Sequence, residues 1–311
     1  MVEAGRLTSN FRPEADGAFF DLSARAKLRI LGSDRLRYLN GQVTNDVRKA
    51  SETSAIHACI LNAKGRIDAE GFIATDGEGF LIDAELEAGA PLMARLERYI
   101  IADDVQVEDV TNEFALFHVI GGDISTLSLS AKFRQSARFG ELGTDVWLNQ
   151  SDRDACLKEL SRIAAYCDET CADLFRIERG LPRWGFELTD AIIPTEANLE
   201  GSAIDFAKGC YIGQEVISRI KMSGQTNKRL CGLVTESKEP LRNGMRLMTP
   251  EEKKEVGWIT SNTTSERLGK RIALGFVKRG FQEPGTRLCA SEAASEIGAL
   301  VDFTIVPLPF T

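Results

Sequence analysis

Short stretches rich in apolar residues recur through the first hundred positions of the chain. Alternation of apolar and polar residues with a period of two is typical of strands that bury one face, and it predicts a strand at Lys27–Leu31. Strands are also predicted at Ala55–Leu61, Arg66–Ala74 and Phe80–Ala84. Only Asn62–Gly65 separates the second of these strands from the third, which predicts a hairpin turn at these four residues.

Apolar residues at helical spacing follow the first and the last of these four strands. Ser33 is a candidate N-cap for a short helix that carries Leu36 and Leu39. Apolar residues three and four positions apart predict an amphipathic helix over about Ala88–Ile101. The same spacing predicts a helix over Asp152–Cys167.

The second half of the chain begins with a mixed pattern and ends in strands alone. Glu113–Ile120 is strand-like, whereas the glycine-rich and polar region Gly121–Gln150 shows no clear period. This order of elements favours an α+β fold. After Lys228, short strands separated by turn residues predict a small antiparallel β barrel or sandwich. These strands are Leu230–Val234, Arg246–Met248, Val256–Thr260, Ile272–Val277 and Ala299–Ile305.

Chain length limits the number of domains, and net charge argues against one class of function. At 311 residues the chain is long enough for two or three domains. Its net charge of −8 argues against direct binding of nucleic acid, which depends on basic surfaces. The local basic group of Arg219, Lys221, Lys228 and Arg229 is more typical of a solvated face.

Seven cysteines are present, without a Cys-x-x-Cys pair. An odd number without such pairs argues against a disulfide framework and an ordinary zinc site, and suits a reducing cytoplasm. Cys167 and Cys171 are expected to pack on one helix face. Met1–Pro13 lacks the apolar core of a signal peptide, and no stretch is apolar enough to span a membrane. A soluble, cytoplasmic protein is expected.

One cysteine lies in an unusual setting, the octapeptide KGCYIGQE at Lys208–Glu215. Glycines on both sides of Cys210 allow other groups to approach the backbone, and a helix start is predicted just downstream. A cation such as Lys208 and a helix N-terminus both favour the thiolate. The alternatives are a buried structural Cys210 on a tight turn, and a Lys208 that is only solvated.

Several motifs together carry a family resemblance. They are YLNGQVTNDV at Tyr38–Val47, LNAKGR at Leu61–Arg66, RIERGLPRWG at Arg176–Gly185, PTEANLE at Pro194–Glu200 and the octapeptide at Lys208–Glu215. The chain resembles the YgfZ family of folate-binding proteins, which includes mitochondrial iron–sulfur assembly factors. That family is related to the glycine cleavage T-protein, an aminomethyltransferase that uses tetrahydrofolate.

The resemblance implies a T-protein-like ring of three domains. A discontinuous folate-binding domain is expected at residues 1–104 and 170–227, with a ferredoxin-like α+β domain at 105–169 between its two parts. An antiparallel β barrel is expected at residues 228–311.

The same resemblance implies a folate site. Glu178 takes the place of the T-protein glutamate that binds the pterin, because a carboxylate can accept both donors on one pterin edge. Its alternative is a helix-surface glutamate. Trp184 is a candidate for ring stacking or for a core position, and Glu196 for a turn cap or a ligand. Asn62 and Arg219 are also assigned to folate binding.

The chain departs from the T-protein at the residues that carry the transferase chemistry. The T-protein has two consecutive aspartates after a glycine turn, one of which acts at the reaction centre. The corresponding residues here are Ala69 and Glu70. Asp68 is one residue early, which in a regular strand places it on the opposite face. General acid/base help to aminomethyl transfer is therefore expected to be weakened.

These observations predict a tetrahydrofolate-binding protein that supports assembly or repair of [4Fe–4S] clusters in client enzymes. The clients implied by the resemblance include radical enzymes that modify tRNA, and Cys210 is the functional thiol. No metal site, direct nucleic-acid contact or membrane contact is expected. The sequence leaves open whether the protein is an enzyme; the alternatives are a folate-dependent aminomethyl transferase and a folate store. His57 and His118 are expected to be strand residues without a ligand role.

Overall fold

The computed structural model describes residues 17–291 and 300–310. Contacts divide the chain into a first unit, Met1–Thr170 with Glu200–Val216, and a second unit, Cys171–Leu199 with Ile217–Thr311. The segment Met1–Pro13, examined above for a signal peptide, lies outside the described residues. The three predicted domain ranges stay a prediction.

Ten strands of the first unit form two five-stranded sheets, and the sequence predicted five of them, β2 to β5 and β7. One sheet has the order β3-β4-β5-β2-β6 and is antiparallel throughout. The other has the order β10-β1-β7-β9-β8, in which only β1 and β10 are parallel. Strands β1 to β10 are Ala18–Asp21, Ala26–Leu31, Ile56–Leu61, Ile67–Asp76, Gly79–Ala84, Gln106–Asp109, Phe114–Ile120, Lys132–Ser136, Gly143–Asn149 and Ala165–Cys167.

Strands β8 and β9 lie in the region that showed no period. The reason is that several of their inward-facing residues are polar, so burial leaves no apolar alternation to find. These buried residues are Arg134, Ser136, Thr144 and Asp145. The predicted strand positions of His57 in β3 and His118 in β7 are confirmed.

Five α-helices occur in the described part of the chain: α1 Arg35–Gln42, α2 Leu86–Glu97, α3 Arg153–Leu160, α4 Glu169–Glu178 and α5 Gln214–Ser223. The N-cap prediction for Ser33 is wrong: Asp34 takes that position, and the Ser33 hydroxyl instead donates to Asp104 Oδ2 at 2.7 Å. Both predicted longer helices end early, α2 at Glu97 and α3 at Leu160.

The predicted helix over Asp152–Cys167 is wrong in its second half. Ala165–Cys167 is β10, because its backbone pairs with β1 in the register Ala18↔Ala165. Cys171 lies in α4, so the two cysteines do not share a helix face. Both are disulfide-bonded, whereas the other five cysteines are free. The expectation of two packed thiols at Cys167 and Cys171 is therefore also wrong.

The C-terminal strands form a closed antiparallel barrel of the order β11-β14-β13-β12-β15-β16. Alternate side chains point inward and fill it, among them Leu233, Leu247, Ile259, Val277 and Phe303. The sequence missed β15, and Ala299 of the last predicted strand lies outside the described residues. Strands β11 to β16 are Lys228–Thr235, Arg246–Met248, Glu255–Ser265, Lys270–Lys278, Arg287–Ser291 and Val301–Val306.

No helix in residues 17–291 or 300–310 combines the length and the apolar character needed to cross a membrane.

Candidate functional site

Cys210 lies in an irregular segment of the first unit, residues 205–213, which we call the cysteine segment; Cys210 is four residues before α5 begins. It is a free, exposed cysteine, whereas the other free cysteines are all buried: Cys59, Cys156, Cys231 and Cys289. The alternative of a buried structural Cys210 therefore does not hold. Exposure leaves the thiol open to a reagent or a partner; its role stays a prediction.

Lys208 fixes the start of this segment. Its side chain is buried, and Nζ donates to the carbonyl oxygens of Asn40 at 2.7 Å, Val43 at 2.6 Å and Asn45 at 2.7 Å. An ammonium group has three hydrogens, so these three acceptors use all of them. Lys208 thus binds the segment to the end of α1 and the residues after it. An effect of Lys208 on the thiol stays a prediction.

Burial lowers the pKa of Lys208 to about 8, although nearby Asp46 and Asp205 favour the charged form. The ammonium is held despite this desolvation because the three carbonyls replace its water.

Replacing Lys208 by methionine should lower the free energy of unfolding by at least about 2 kcal/mol, because three buried carbonyls lose their donor. Urea unfolding of the purified protein measures this. Lys49→Met is the matched control, because Lys49 makes an exposed ion pair with Asp205 at 2.8 Å in the same region. Such a pair is worth at most about 1 kcal/mol. Equal stability of the two variants would contradict the assigned role of Lys208.

Backbone hydrogen bonds hold the rest of the segment. The N–H of Ile212 donates to the Gly41 carbonyl at 3.2 Å, and the N–H of Asp205 donates to the Thr44 carbonyl at 3.1 Å. The Thr44 hydroxyl donates in turn to the Ala203 carbonyl at 2.6 Å. Cys210 is therefore flanked on both sides by anchored residues.

Gly213 packs the segment against the β3–β4 turn. Its φ is +85°, and a Cβ there would lie 2.7 Å from the carbonyl oxygen of Asn62 and 3.1 Å from Leu61 Cβ. At Gly65, in the same turn, φ is +74° and a Cβ would lie 2.8 Å from Val216 Cβ. Both positions require glycine, because any side chain would force the two segments apart.

Asn62 organises this turn. Its Oδ1 accepts hydrogen bonds from the N–H groups of Lys64 at 3.0 Å and Arg66 at 3.2 Å. Its Nδ2 donates to Asp68 Oδ1 at 3.2 Å. The structure therefore brings Asn62 beside the cysteine segment through Gly213, and its side-chain contacts are those of a turn residue.

Asp68 lies in a bulge that the sequence could not show. Ile60 pairs with Ala69 and Leu61 pairs with Ile67, so Asp68 is an extra residue in β4. A bulge interrupts the alternation of side chains. The face on which Asp68 lies therefore does not follow from its position one residue before Ala69.

Glu70 is paired with a neighbouring residue of the same sheet. Its Oε2 lies 2.9 Å from Nε2 of His57. Burial alone would raise the pKa of the Glu70 carboxyl, but the hydrogen bond from His57, the His57 charge and Arg25 hold it below its usual range. A charged, paired carboxylate at this position is not an available general acid.

Glu178 lies at the end of α4 in the second unit. Its side chain is buried; Oε1 accepts a hydrogen bond from the Ser265 hydroxyl and Oε2 accepts one from Arg267 Nε at 3.1 Å. The backbone carbonyl of Glu178 accepts from the N–H of Phe310 at 2.9 Å. A pterin at this carboxylate would have to share its oxygens with Ser265 and Arg267 or displace them. Each oxygen has a second lone pair, so sharing is chemically allowed.

The other predicted folate residues of the second unit have distinct settings. Trp184 is half-buried in a turn and forms an isolated bridge with Leu188. Glu196 caps the turn Pro194–Ala197, since its Oε2 accepts from the N–H of Ile193 at 3.2 Å, and it lies 3.3 Å from Lys228 Nζ. Arg219 is exposed on α5. The structure thus places these three residues and Glu178 in one unit, and Cys210, Lys208 and Asn62 in the other.

The sequence did not single out Glu187, although it lies next to a matched motif. It is fully buried and accepts hydrogen bonds from Arg176 Nη1 and the Arg183 N–H, both at 3.0 Å, and from the Ser261 hydroxyl at 2.6 Å. The arginines of RIERGLPRWG were the available signal, because buried arginines need carboxylate partners. Their role is to hold the motif in place.

Comparisons with known proteins agree with this architecture. Residues 14–130 match the GCVT N-terminal domain, and residues 228–311 match the glycine cleavage T-protein C-terminal barrel domain. An aminomethyltransferase of Saccharopolyspora erythraea is 26% identical over 94% of this chain and 86% of its own length. The mitochondrial iron–sulfur cluster assembly factor IBA57 homolog of Dictyostelium discoideum is 24% identical over 70% of this chain and 62% of its own length.

A solved structure supports the same fold. The glycine cleavage system aminomethyltransferase T of Bartonella henselae has a TM-score of 0.81, at 18% identity, over 98% of this chain and 89% of its own. An identity this low speaks for the fold alone. The two matched domains support a relationship between this chain and the glycine cleavage T-protein, and the solved structure shows that the fold is T-protein-like.

Proposed function

We propose that this protein binds tetrahydrofolate and supports the assembly or repair of [4Fe–4S] clusters in client enzymes, through the thiol of Cys210, as a member of the YgfZ family. The observation that carries the proposal is an exposed free thiol on a segment anchored at Lys208, Ile212 and Gly213. Catalysis of a single aminomethyl transfer does not require such a thiol. The similarity to an iron–sulfur cluster assembly factor supports the proposal.

A single thiolate is too few to hold a cluster, which usually has four protein ligands. Cys210 therefore works either as one ligand in a site shared with a partner protein or as a nucleophile that reacts transiently. The partners are folate and iron–sulfur client or assembly proteins, including radical enzymes that modify tRNA. Any effect on tRNA is then indirect, in agreement with the net charge of −8.

The test is complementation of a strain that lacks this protein with the Cys210→Ser variant, read out through the activity of a cluster-dependent enzyme. Full rescue would remove the thiol from the proposed function.

A folate-dependent aminomethyl transferase is the second candidate, and the similarity to aminomethyltransferases over 94% of the chain favours it. Against it stand Ala69 at the first acidic position and a Glu70 that is paired with His57. An assay of methylene transfer with purified protein separates the two candidates. Turnover that survives Cys210→Ala would favour the transferase.

Tetrahydrofolate, when bound, supplies a carrier for one-carbon units. Glu178→Gln should weaken folate binding, because a neutral amide cannot accept both pterin donors, and a hydrogen bond to a charged group is worth about 1.5–3 kcal/mol. Calorimetric titration with tetrahydrofolate measures the affinity, and urea unfolding measures stability. An affinity equal to that of the wild type, with stability lowered by the loss of the Arg267 contact, would assign Glu178 to barrel packing instead.

A further inference from the structure

Arg95 is a buried arginine on α2 that no motif includes. Its guanidinium donates three hydrogen bonds: Nη1 to Gln42 Oε1 at 2.9 Å, Nη2 to the Leu61 carbonyl at 3.0 Å and Nε to Asp68 Oδ2 at 3.3 Å. Its other face covers the ring of Tyr99, with Cζ 3.9 Å from the ring centroid. The planar group therefore joins three separate stretches of the first unit.

The first of these stretches anchors the cysteine segment. Gln42 lies between Gly41, whose carbonyl accepts the Ile212 N–H, and Val43, whose carbonyl accepts Lys208 Nζ. A shift of Gln42 would move both acceptors. The contact between Arg95 and Gln42 thus fixes the backbone to which the segment is bonded.

The other two partners belong to the turn against which Gly213 packs. Leu61 Cβ and the Asn62 carbonyl form the surface that leaves no room for a side chain at Gly213. Asp68, the second partner, also accepts a hydrogen bond from Asn62 Nδ2. Arg95 therefore holds the turn from two sides.

We propose that Arg95 is a positioning residue for Cys210: one guanidinium connects the α1 end and the β3–β4 turn, the two supports of the cysteine segment, and so sets where the thiol is presented. The chemistry of the thiol rests on the proposed function, whereas the position at which Arg95 holds it does not. Arginine suits this task because it carries five N–H donors in a rigid plane, whereas lysine is a single rotating point of charge.

Hydrogen exchange followed by mass spectrometry tests this on the full chain. Arg95→Met removes all three hydrogen bonds and keeps an apolar side chain over Tyr99. Amide exchange in the peptide that contains residues 205–216 should become about five- to tenfold faster, as expected for the loss of about one net hydrogen bond. Arg29→Met is the control, since Arg29 also lies in the first unit but pairs with Glu108 and Glu113.

The control should change exchange around β2 and β6 and leave the 205–216 peptide as in the wild type. Gln42→Ala, which cuts only the link to α1, should also speed exchange at Ile212, so a result is obtained even if Arg95→Met fails to fold. Arg95→Lys should restore part of the protection. Unchanged exchange in both Arg95→Met and Gln42→Ala would overturn the proposal, as would an equal effect of Arg29→Met.

The outcome is separate from that of the proposed function. If Cys210→Ser restores cluster-enzyme activity in full, the proposed function fails, while the exchange data still decide whether Arg95 holds the segment. If Cys210 is essential, Arg95→Met should lower the rescued activity, and Arg95→Lys should recover part of it.

Discussion

Cys210→Ser should give a folded protein that leaves cluster-dependent enzyme activity at the level of the deletion strain. The substitution exchanges one atom of an exposed side chain, so its effect on the free energy of unfolding should stay within about 0.5 kcal/mol. The chemistry changes much more, because a serine hydroxyl is neither a soft metal ligand nor a thiolate nucleophile at neutral pH.

Cys231→Ser is the matched control. Cys231 is free but buried in the barrel, and its sulfur already lies 3.5 Å from the Arg229 carbonyl, which a serine hydroxyl can also reach. This variant should restore enzyme activity. If both variants restore it, neither of these two thiols is needed; if neither does, loss of folding must be checked by circular dichroism before the result is assigned to Cys210.

Arg138→Met should produce a large loss of stability in the first unit. Arg138 bridges its two sheets: Nη1 and Nη2 bond Asp83 on β5 at 2.8 and 2.6 Å, while Nε and Nη2 bond Asp145 on β9 at 2.7 and 2.8 Å. Both carboxylates are fully buried. Removing the shared cation should lower the free energy of unfolding by about 3 kcal/mol, the lower end for a broken buried pair, because Arg25 still pairs with Asp83 and His118 still bonds Asp145.

The dependence on pH distinguishes lost charge pairing from lost packing. Burial alone would raise the pKa of Asp145 and Asp83, but Arg138 and their other partners hold both well below the ordinary value of 3.8. A lowered carboxyl pKa contributes stability that is present above the unfolded pKa and is lost as the pH falls through the folded pKa. The difference between wild type and Arg138→Met should therefore be largest near neutral pH and shrink below about pH 4.

His118 adds to the acid sensitivity of the wild type. Burial lowers its pKa below 6.5, although the hydrogen bond to Asp145, at 2.8 Å, offsets part of the shift. The unfolded chain therefore binds the proton more readily, and stability is lost as the pH falls below about 6.5. Urea unfolding between pH 7 and pH 3 measures both effects.

Arg162→Met serves as the control for these measurements. Arg162 makes an exposed ion pair with Glu159 within one helical turn, which is worth about 0.5 kcal/mol at most. A loss of stability in Arg138→Met no larger than in Arg162→Met would show that the buried network is not what joins the two sheets.

Local patterns predicted the elements that are rich in apolar residues. Strands β3 and β4 and the turn at Asn62–Gly65 follow from apolar stretches and turn residues, and the structure confirms them. Strands β8 and β9 did not follow, because Arg134 and Asp145 are buried and have hydrogen-bond partners on other strands, on β4 and β7. The sequence alone does not distinguish a buried charged residue from an exposed one.

The cysteine segment was likewise predicted only in part. Its glycines and the exposed Cys210 agree with the prediction of a presented sulfur, which rested on the octapeptide alone. The task of Lys208 could not be predicted, because its three acceptors lie more than 160 positions earlier in the chain. The bulge at Asp68 could not be predicted, because a bulge depends on the pairing of two strands and the sequence of a single strand carries no sign of it.

Local sequence patterns thus predict the α+β content, most of the barrel strands and the motif that holds the thiol. They do so because side-chain spacing and glycine geometry act over a few residues. The partners of Lys208, Arg95, Arg138 and Glu178 were decided only by the folded chain. Most of the groups that satisfy these charges lie far away in sequence, and which groups come within hydrogen-bonding distance depends on packing, which no local pattern encodes.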